Sequence, residues 1–120
     1  TIVLQKESGN NDQGHTFSVR PGIYTIPAAG GDLTLVQSDG QFPEFSADGK
    51  RILFQTGGTY FGSLTKELKS VNLNGEDEKT HVKSKYANRL VASPDNNWIA
   101  FIHLHKVYLA AMPPSGQTLD

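Results

Sequence analysis

The stretch FPEFSADGKRILF, residues 42–54, decides how the rest of the chain is read. Apolar and aromatic residues stand on both sides of Ser46-Ala47-Asp48-Gly49. Asp-Gly between two such runs marks a tight hairpin: Gly takes positive φ without strain, and the Asp side chain bonds the backbone of its own turn. The stretch RLVASPDNNWIAF, residues 89–101, repeats the device. Ser46-Ala47-Asp48-Gly49 aligns with Ser93-Pro94-Asp95-Asn96 at an offset of 47, which drops Ile52 and Phe54 onto Ile99 and Phe101. A Ser and an Asp written twice with their turn are explained by the turn, whose N–H groups need acceptors. Structural-turn roles therefore go to Ser46, Asp48, Gly49, Ser93, Asp95 and Asn96.

Working outward, short apolar or β-branched runs occupy 1–5, 22–28, 32–37, 42–46, 51–56, 68–73, 79–84, 88–93, 98–103 and 106–112, with Gly, Asn and Asp turn pairs between them. This spacing reads as all-β. The nearest approach to a helical period, GSLTKELKSV at 62–71, reads as a loop running into a strand. A second element recurs three times, as IYTIPAAGGD (23–32), LKSVNLNGED (68–77) and VYLAAMPPSGQ (107–117), each ending in a turn. A repeat of about 40 to 50 residues carrying four strands fits a blade of a β-propeller. RILF and WIAF are apolar at consecutive positions, as expected of strands covered on both faces.

The expected organisation is a single repeat domain over residues 1–120: a partial blade at 1–40, a full blade at 41–85 and a partial blade at 86–120. A fourth strand of the last unit is expected to start near 117–120. This makes about two and a half to three four-stranded antiparallel blades, fewer than the four to eight of closed propellers. Apolar faces left open at both ends favour assembly. The expectation is a homo-oligomer that completes the propeller by joining the N-terminal unit of one copy to the C-terminal unit of another. Trp98, at the position of Arg51 in the repeat, is expected to pack.

Bulk composition excludes several functions. A net charge of −1 gives no electrostatic case for nucleic acid or an anionic membrane, and the basic run at 79–90 directly follows Glu76, Asp77 and Glu78. With no Cys, disulfides and thiolate metal sites are ruled out. No apolar run approaches the ~18 residues of a helical membrane span. The chain begins inside the apolar run TIVLQ without an initiator Met or signal peptide, which reads as a fragment or a processed product.

Candidate chemistry is sparse, and no cofactor motif is present. His103-Leu104-His105 offers two imidazoles which, on a strand, would point to one side about 7 Å apart and could share a metal. They lie at the join of two strands with no third ligand indicated by spacing, so they are weak metal candidates. Ser46, Asp48, Ser93 and Asp95 could be assembled on paper with His15 or His81 into a Ser-His-Asp triad, but the turn accounts for them. GNNDQG at 9–14 lacks the later acidic ligand of a calcium loop, and GGTYFG at 57–62 lacks the Lys and helix of a phosphate loop. Both segments follow the second strand of successive units. Contact residues are therefore expected there: His15, Phe17, Tyr60 and Phe61. No catalytic residue is nominated.

FPEFSADGKRILF and VASPDNNWIAF resemble the Pro-x-x-Ser-x-Asp-Gly-Lys-x-Ile-x-Phe repeat of TolB-like β-propellers, the WD-like repeats of bacterial periplasmic proteins. The second copy departs at Asn96 and Asn97, where Gly-Lys is usual. GIYTIPAAGGD, LKSVNLNGEDEKTHVKSKYA and SPDNNWIAF are also similar to the propeller segment of bacterial amidohydrolase-related proteins. The resemblance implies an exported, periplasmic, non-catalytic module for protein–protein interaction or scaffolding within a larger protein. Its alternative is an accessory or substrate-gating domain of an amidohydrolase or peptidase whose catalytic domain lies outside this chain. The partner it implies is another protein or a missing domain of the same one.

Overall fold

Each run read as a strand forms one, and the runs at 51–56, 79–84 and 98–103 do so with the expected bounds. The computed structural model describes residues 1–6, 9–10, 16–17, 22–57, 65–113 and 117–118, with backbone alone at 6, 9–10, 16–17 and 117–118. The strands are β1 (Ile2–Lys6), β2 (Gly9–Asn10), β3 (Thr16–Phe17), β4 (Gly22–Ile26), β5 (Thr34–Gln37), β6 (Gln41–Phe45), β7 (Arg51–Thr56), β8 (Lys66–Asn72), β9 (Lys79–Ser84), β10 (Arg89–Ala92), β11 (Trp98–His103), β12 (Lys106–Ala111) and β13 (Gln117–Thr118). The described residues contain no helix, so none is long and apolar enough to cross a membrane.

Three sheets carry the fold. The first has the order β1-β4-β5 and the third β10-β11-β12. The middle sheet runs β6-β7-β8-β9 as an antiparallel meander, with β13 added parallel to β9 at its outer edge. Residues 117–118, expected to begin a fourth strand beside β12, thus pair with the middle sheet instead. A further two-stranded pairing joins β2 and β3.

The two quoted hairpins turn in the same way, bond for bond. Ser46 Oγ donates to Asp48 Oδ1 at 2.6 Å, and Asp48 Oδ1 accepts from Lys50 N at 2.9 Å. Ser46 Oγ in turn accepts from Arg51 N at 3.0 Å. In the second copy Ser93 Oγ donates to Asp95 Oδ1 at 2.5 Å, Asn97 N donates to the same oxygen at 3.0 Å, and Trp98 N donates to Ser93 Oγ at 3.1 Å. Gly49 and Asn96 take the left-handed position, with φ of 72° and 61°, where Gly and Asn are the tolerated residues.

Register shows that the three sheets are copies of one pattern. In the middle sheet Ile52 pairs with Val71, Leu53 with Ser70, Phe54 with Lys69 and Gln55 with Leu68. In the third, Ile99 pairs with Ala110, Ala100 with Leu109, Phe101 with Tyr108 and Ile102 with Val107. In the first, Ile2 pairs with Ile26, Val3 with Thr25, Leu4 with Tyr24 and Gln5 with Ile23. Ile2, Ile52 and Ile99 are thus equivalent, as are Gln5, Gln55 and Ile102.

Alternation along each strand sends equivalent residues to equivalent sides. Ile52, Phe54 and Val71 pack with Ile23 and Val36 of the first sheet. From the opposite side of the middle sheet, Leu68 and Val82 pack with Leu90 and Ile99 of the third, and Leu53 and Phe101 lie against that cluster. The middle sheet is therefore covered on both faces, which explains its unbroken apolar run RILF. Gly40 lets the chain cross from the first sheet to the second: a Cβ there would stand 2.7 Å from the Phe54 ring and 2.9 Å from Ile23.

The second apolar run, WIAF, has a different fate. Ile99 is buried, whereas Trp98 is 49 % exposed. This corrects the expectation that Trp98 packs. It occupies the position of Arg51, whose side is covered by the third sheet, but no described sheet covers that side of β11.

Candidate functional site

A cleft of about 380 Å³ opens between the middle and third sheets, at the end where the two Ser-x-Asp turns stand. Ala47 and Asp48 flank it on one side and Pro94 and Asn96 on the other, over a floor that includes Leu53, Arg51, Ser70 and His81. Strand register places these polar residues. Arg51 starts β7, Ser70 faces the third sheet from β8, and His81 reaches it from β9, where the β8–β9 register shifts between Leu68 and Lys69.

Arg51 Nε donates to Ser70 Oγ at 2.8 Å, and Ser70 Oγ lies 2.7 Å from His81 Nε2. Ser70 Oγ thus accepts from Arg51 and shares a second hydrogen bond with Nε2, whose direction follows the imidazole tautomer. Arg51 also bonds the Asp77 carboxylate at 2.9 Å, the Ser70 carbonyl at 3.1 Å and the Asp77 carbonyl at 2.5 Å. Burial, then the charges of Arg51 and Lys79, hold the His81 pKa below its ordinary value.

A hydroxyl bonded to an imidazole has the outline of a nucleophile–base pair. Here the surroundings oppose that use. Taking the Ser70 proton would create an imidazolium in a partly desolvated place beside two cations, and among the described residues no carboxylate bonds His81 to stabilise it. The arrangement instead satisfies polar groups between two sheets. His81 does not meet the serines of the imagined triad, because Ser46 and Ser93 donate to Asp48 and Asp95. Those bonds, first of all the serine hydroxyl, pull both Asp pKa values down.

A glutamine clamp, unread in the sequence, ties each sheet to the next. Gln5 Oε1 accepts from Phe42 N at 2.9 Å, and Gln55 Oε1 accepts from Leu90 N at 2.9 Å. Gln55 Nε2 also donates to Asn88 O at 3.0 Å. Both glutamines stand at the same register position and reach the first strand in sequence of the following sheet, β6 or β10. The register shift between Gln41 and Glu44 makes Phe42 and Leu90 counterparts. A spacing of 50 residues between two identical residues at strand ends was the available signal.

His103 ends β11, and its Nδ1 lies 3.1 Å from Tyr86 O. Leu104 and His105 form the two-residue turn to β12, with φ of 48° and 65°, the conformation of a type I′ hairpin. The i, i+2 strand geometry that would aim both imidazoles at one metal is therefore not present. Among the described residues no group of three or more His, Cys, Asp or Glu could hold a metal ion. Of the contact-loop residues, His15, Tyr60 and Phe61 lie outside the described residues, and Phe17 is described by its backbone in β3 alone. The cations near 79–90 include ones paired with acids on the neighbouring strand, such as Lys83 with Glu67 at 3.6 Å, exposed pairs of small energetic weight.

The outer face of the third sheet is apolar and exposed. Trp98, Ala100 and Ile102 of β11 lie beside Ala111, Leu109 and Val107 of β12 on that face. Val107 is 75 % exposed and Leu109 70 %. No family model, curated protein or solved structure matches this chain.

Proposed function

We propose that this chain is a β-propeller-type repeat segment, similar to TolB-like repeats, that acts without catalysis as a protein–protein interaction or scaffold module. One observation carries the reading: the outer face of the third sheet presents a contiguous apolar strip through Trp98, Ile102, Val107 and Leu109, at the positions whose middle-sheet counterparts are covered by another sheet. Contiguous exposed apolar surface of this kind marks a place where another surface docks. The exported, periplasmic setting and the larger parent protein rest on the same repeat residues. The cleft at Ser70 and His81 supports the non-catalytic side of the reading, because its polar groups are occupied with one another and its imidazole is a weakened base.

The test is a photoreactive residue placed at position 107 in the protein expressed in its own reading frame, with position 76 as control. Crosslinks from 107 to another polypeptide surface, absent from 76, are the expected result. Equal or absent crosslinking at both positions would sink the proposal.

A further inference from the structure

We infer that Lys66 and Ser84 form a binding site for a small inorganic anion of halide size, held between the middle and third sheets. Lys66 opens β8 and pairs directly with Ser84, which closes β9. Directly paired residues point to one side of a sheet, with Cβ atoms about 5 Å apart. By alternation that side also carries Leu68 and Val82, which pack with Leu90 and Ile99 of the third sheet. Both polar residues are enclosed there: Lys66 is 1 % exposed and Ser84 3 %. Among the described residues no other lysine or arginine is buried.

The pair has donors to give and no acceptor to take them. Ser84 Oγ accepts from Tyr86 N at 3.3 Å and from Ala87 N at 3.1 Å, which fills its lone pairs and leaves its proton to donate. The Lys66 ammonium is a donor only. Among the described residues no acid pairs with it and no oxygen accepts from it. The adjacent acid, Glu67, points to the opposite side, where it pairs with Lys69 at 3.4 Å and Lys83 at 3.6 Å. The fully enclosed side-chain polar atoms without a partner are Gln41 Oε1 and Asn88 Oδ1. Lys66 Nζ is not one of them, so its tip meets solvent through a narrow opening.

A charge buried without a counter-charge is strongly destabilising. An anion between Nζ and Oγ supplies that counter-charge and accepts both protons, the ammonium's in a charge-assisted bond. Its size follows from the enclosure. An opening that leaves a lysine 1 % exposed admits a bare ion and excludes a carboxylate or phosphate carried on a larger molecule. The site also stands outside the repeated pattern. Two residues back from Leu68 is Lys66, whereas two residues back from its counterpart Val107 is His105, in a turn. The turn serines and aspartates are written twice, and this cation once. Because Ser84 also holds the link from β9 to β10 through Tyr86 and Ala87, the anion ties that link to β8.

The test is thermal unfolding of the 120-residue chain, followed by circular dichroism, in sodium chloride and in sodium gluconate at matched ionic strength. Gluconate is too large to enter the site. Wild type should melt higher in chloride, its midpoint rising by about 5 °C for each tenfold increase once the site fills. Lys66→Met keeps the apolar stem and removes the charge, and it should melt at the same midpoint in both salts. Crystals of wild type grown in bromide should show anomalous density within hydrogen-bond distance of Lys66 Nζ and Ser84 Oγ. That measurement needs no variant, so it decides the matter if Lys66→Met does not fold. Equal midpoints for wild type in the two salts overturn the inference. So does a chloride response that Lys66→Met retains, since the ion would then act elsewhere, and so does bromide found only away from Lys66.

Discussion

The hairpins at 42–54 and 89–101 share a turn, a register and an inward-facing pair, Ile52 with Phe54 and Ile99 with Phe101, yet they live in different surroundings. Leu53 and Gln55 of the first meet the next sheet, whereas Ala100 and Ile102 of the second meet none among the described residues. The difference teaches that local grammar and burial are separate matters here. The Ser-x-Asp turn forms in both places because its hydrogen bonds are made within six residues. Burial of the far face depends on whether another sheet stands beyond it.

Substitutions at matched positions break or sharpen this comparison. The largest effect is expected for Phe54→Ala, which empties a fully buried site between two sheets and should cost about 3–5 kcal/mol. Its counterpart Phe101→Ala, at a half-buried site, should cost clearly less by chemical denaturation. Next comes Gln55→Ala. It strands the buried N–H of Leu90 and the carbonyl of Asn88 and should cost roughly 1–3 kcal/mol for a buried group left unpaired. Ile102→Ala should stay within about 1 kcal/mol, as exposed positions usually do. Equal losses at 55 and 102 would mean that the third sheet is covered after all.

Smaller effects come from pH. The His81 pKa is depressed in the folded chain, so the unfolded chain binds the proton more readily. Its stabilising contribution is whole above the ordinary His value of about 6.5 and is lost as pH falls below it. His81→Asn should flatten the stability profile in that window. Asp48 and Asp95 have depressed values as well. Their contributions are present above the ordinary Asp value and are lost as pH falls through the folded one, below about 4. Asp48→Ala and Asp95→Ala should remove similar shares of that acid loss, since both turns are built alike. The smallest effect on folding is expected for Val107→Lys, within about 0.5 kcal/mol in the single chain.

Much of the fold was legible because its signals are local. Asp48-Gly49 and Asp95-Asn96 announce their turns, and the runs at 51–56 and 98–103 announce their strands. The continuous apolar run in RILF correctly foretold a sheet covered on both sides. The same logic failed at Trp98, because WIAF carries an identical local pattern and only the tertiary neighbour differs. Gln5 and Gln55 were hidden by their spacing of 50, which differs from the hairpin offset of 47; intervening loops vary in length and blur equivalent positions. The cluster of Arg51, Ser70 and His81 joins three strands through side chains and has no sequential signature. The parallel pairing of β13 with β9 is a long-range contact of two residues, too short for any pattern to announce.

The most direct measurement of the central claim compares Leu68 with Val107, the same register position in successive sheets. Covalent side-chain labelling by hydroxyl radicals, read by mass spectrometry at dilutions where the chain is single, should modify Val107 many-fold faster than Leu68, in keeping with exposures of 75 % and 3 %. Equal labelling of the two, whether both fast or both protected, would contradict the claim that one repeated face is covered in the middle of the molecule and bare at its end.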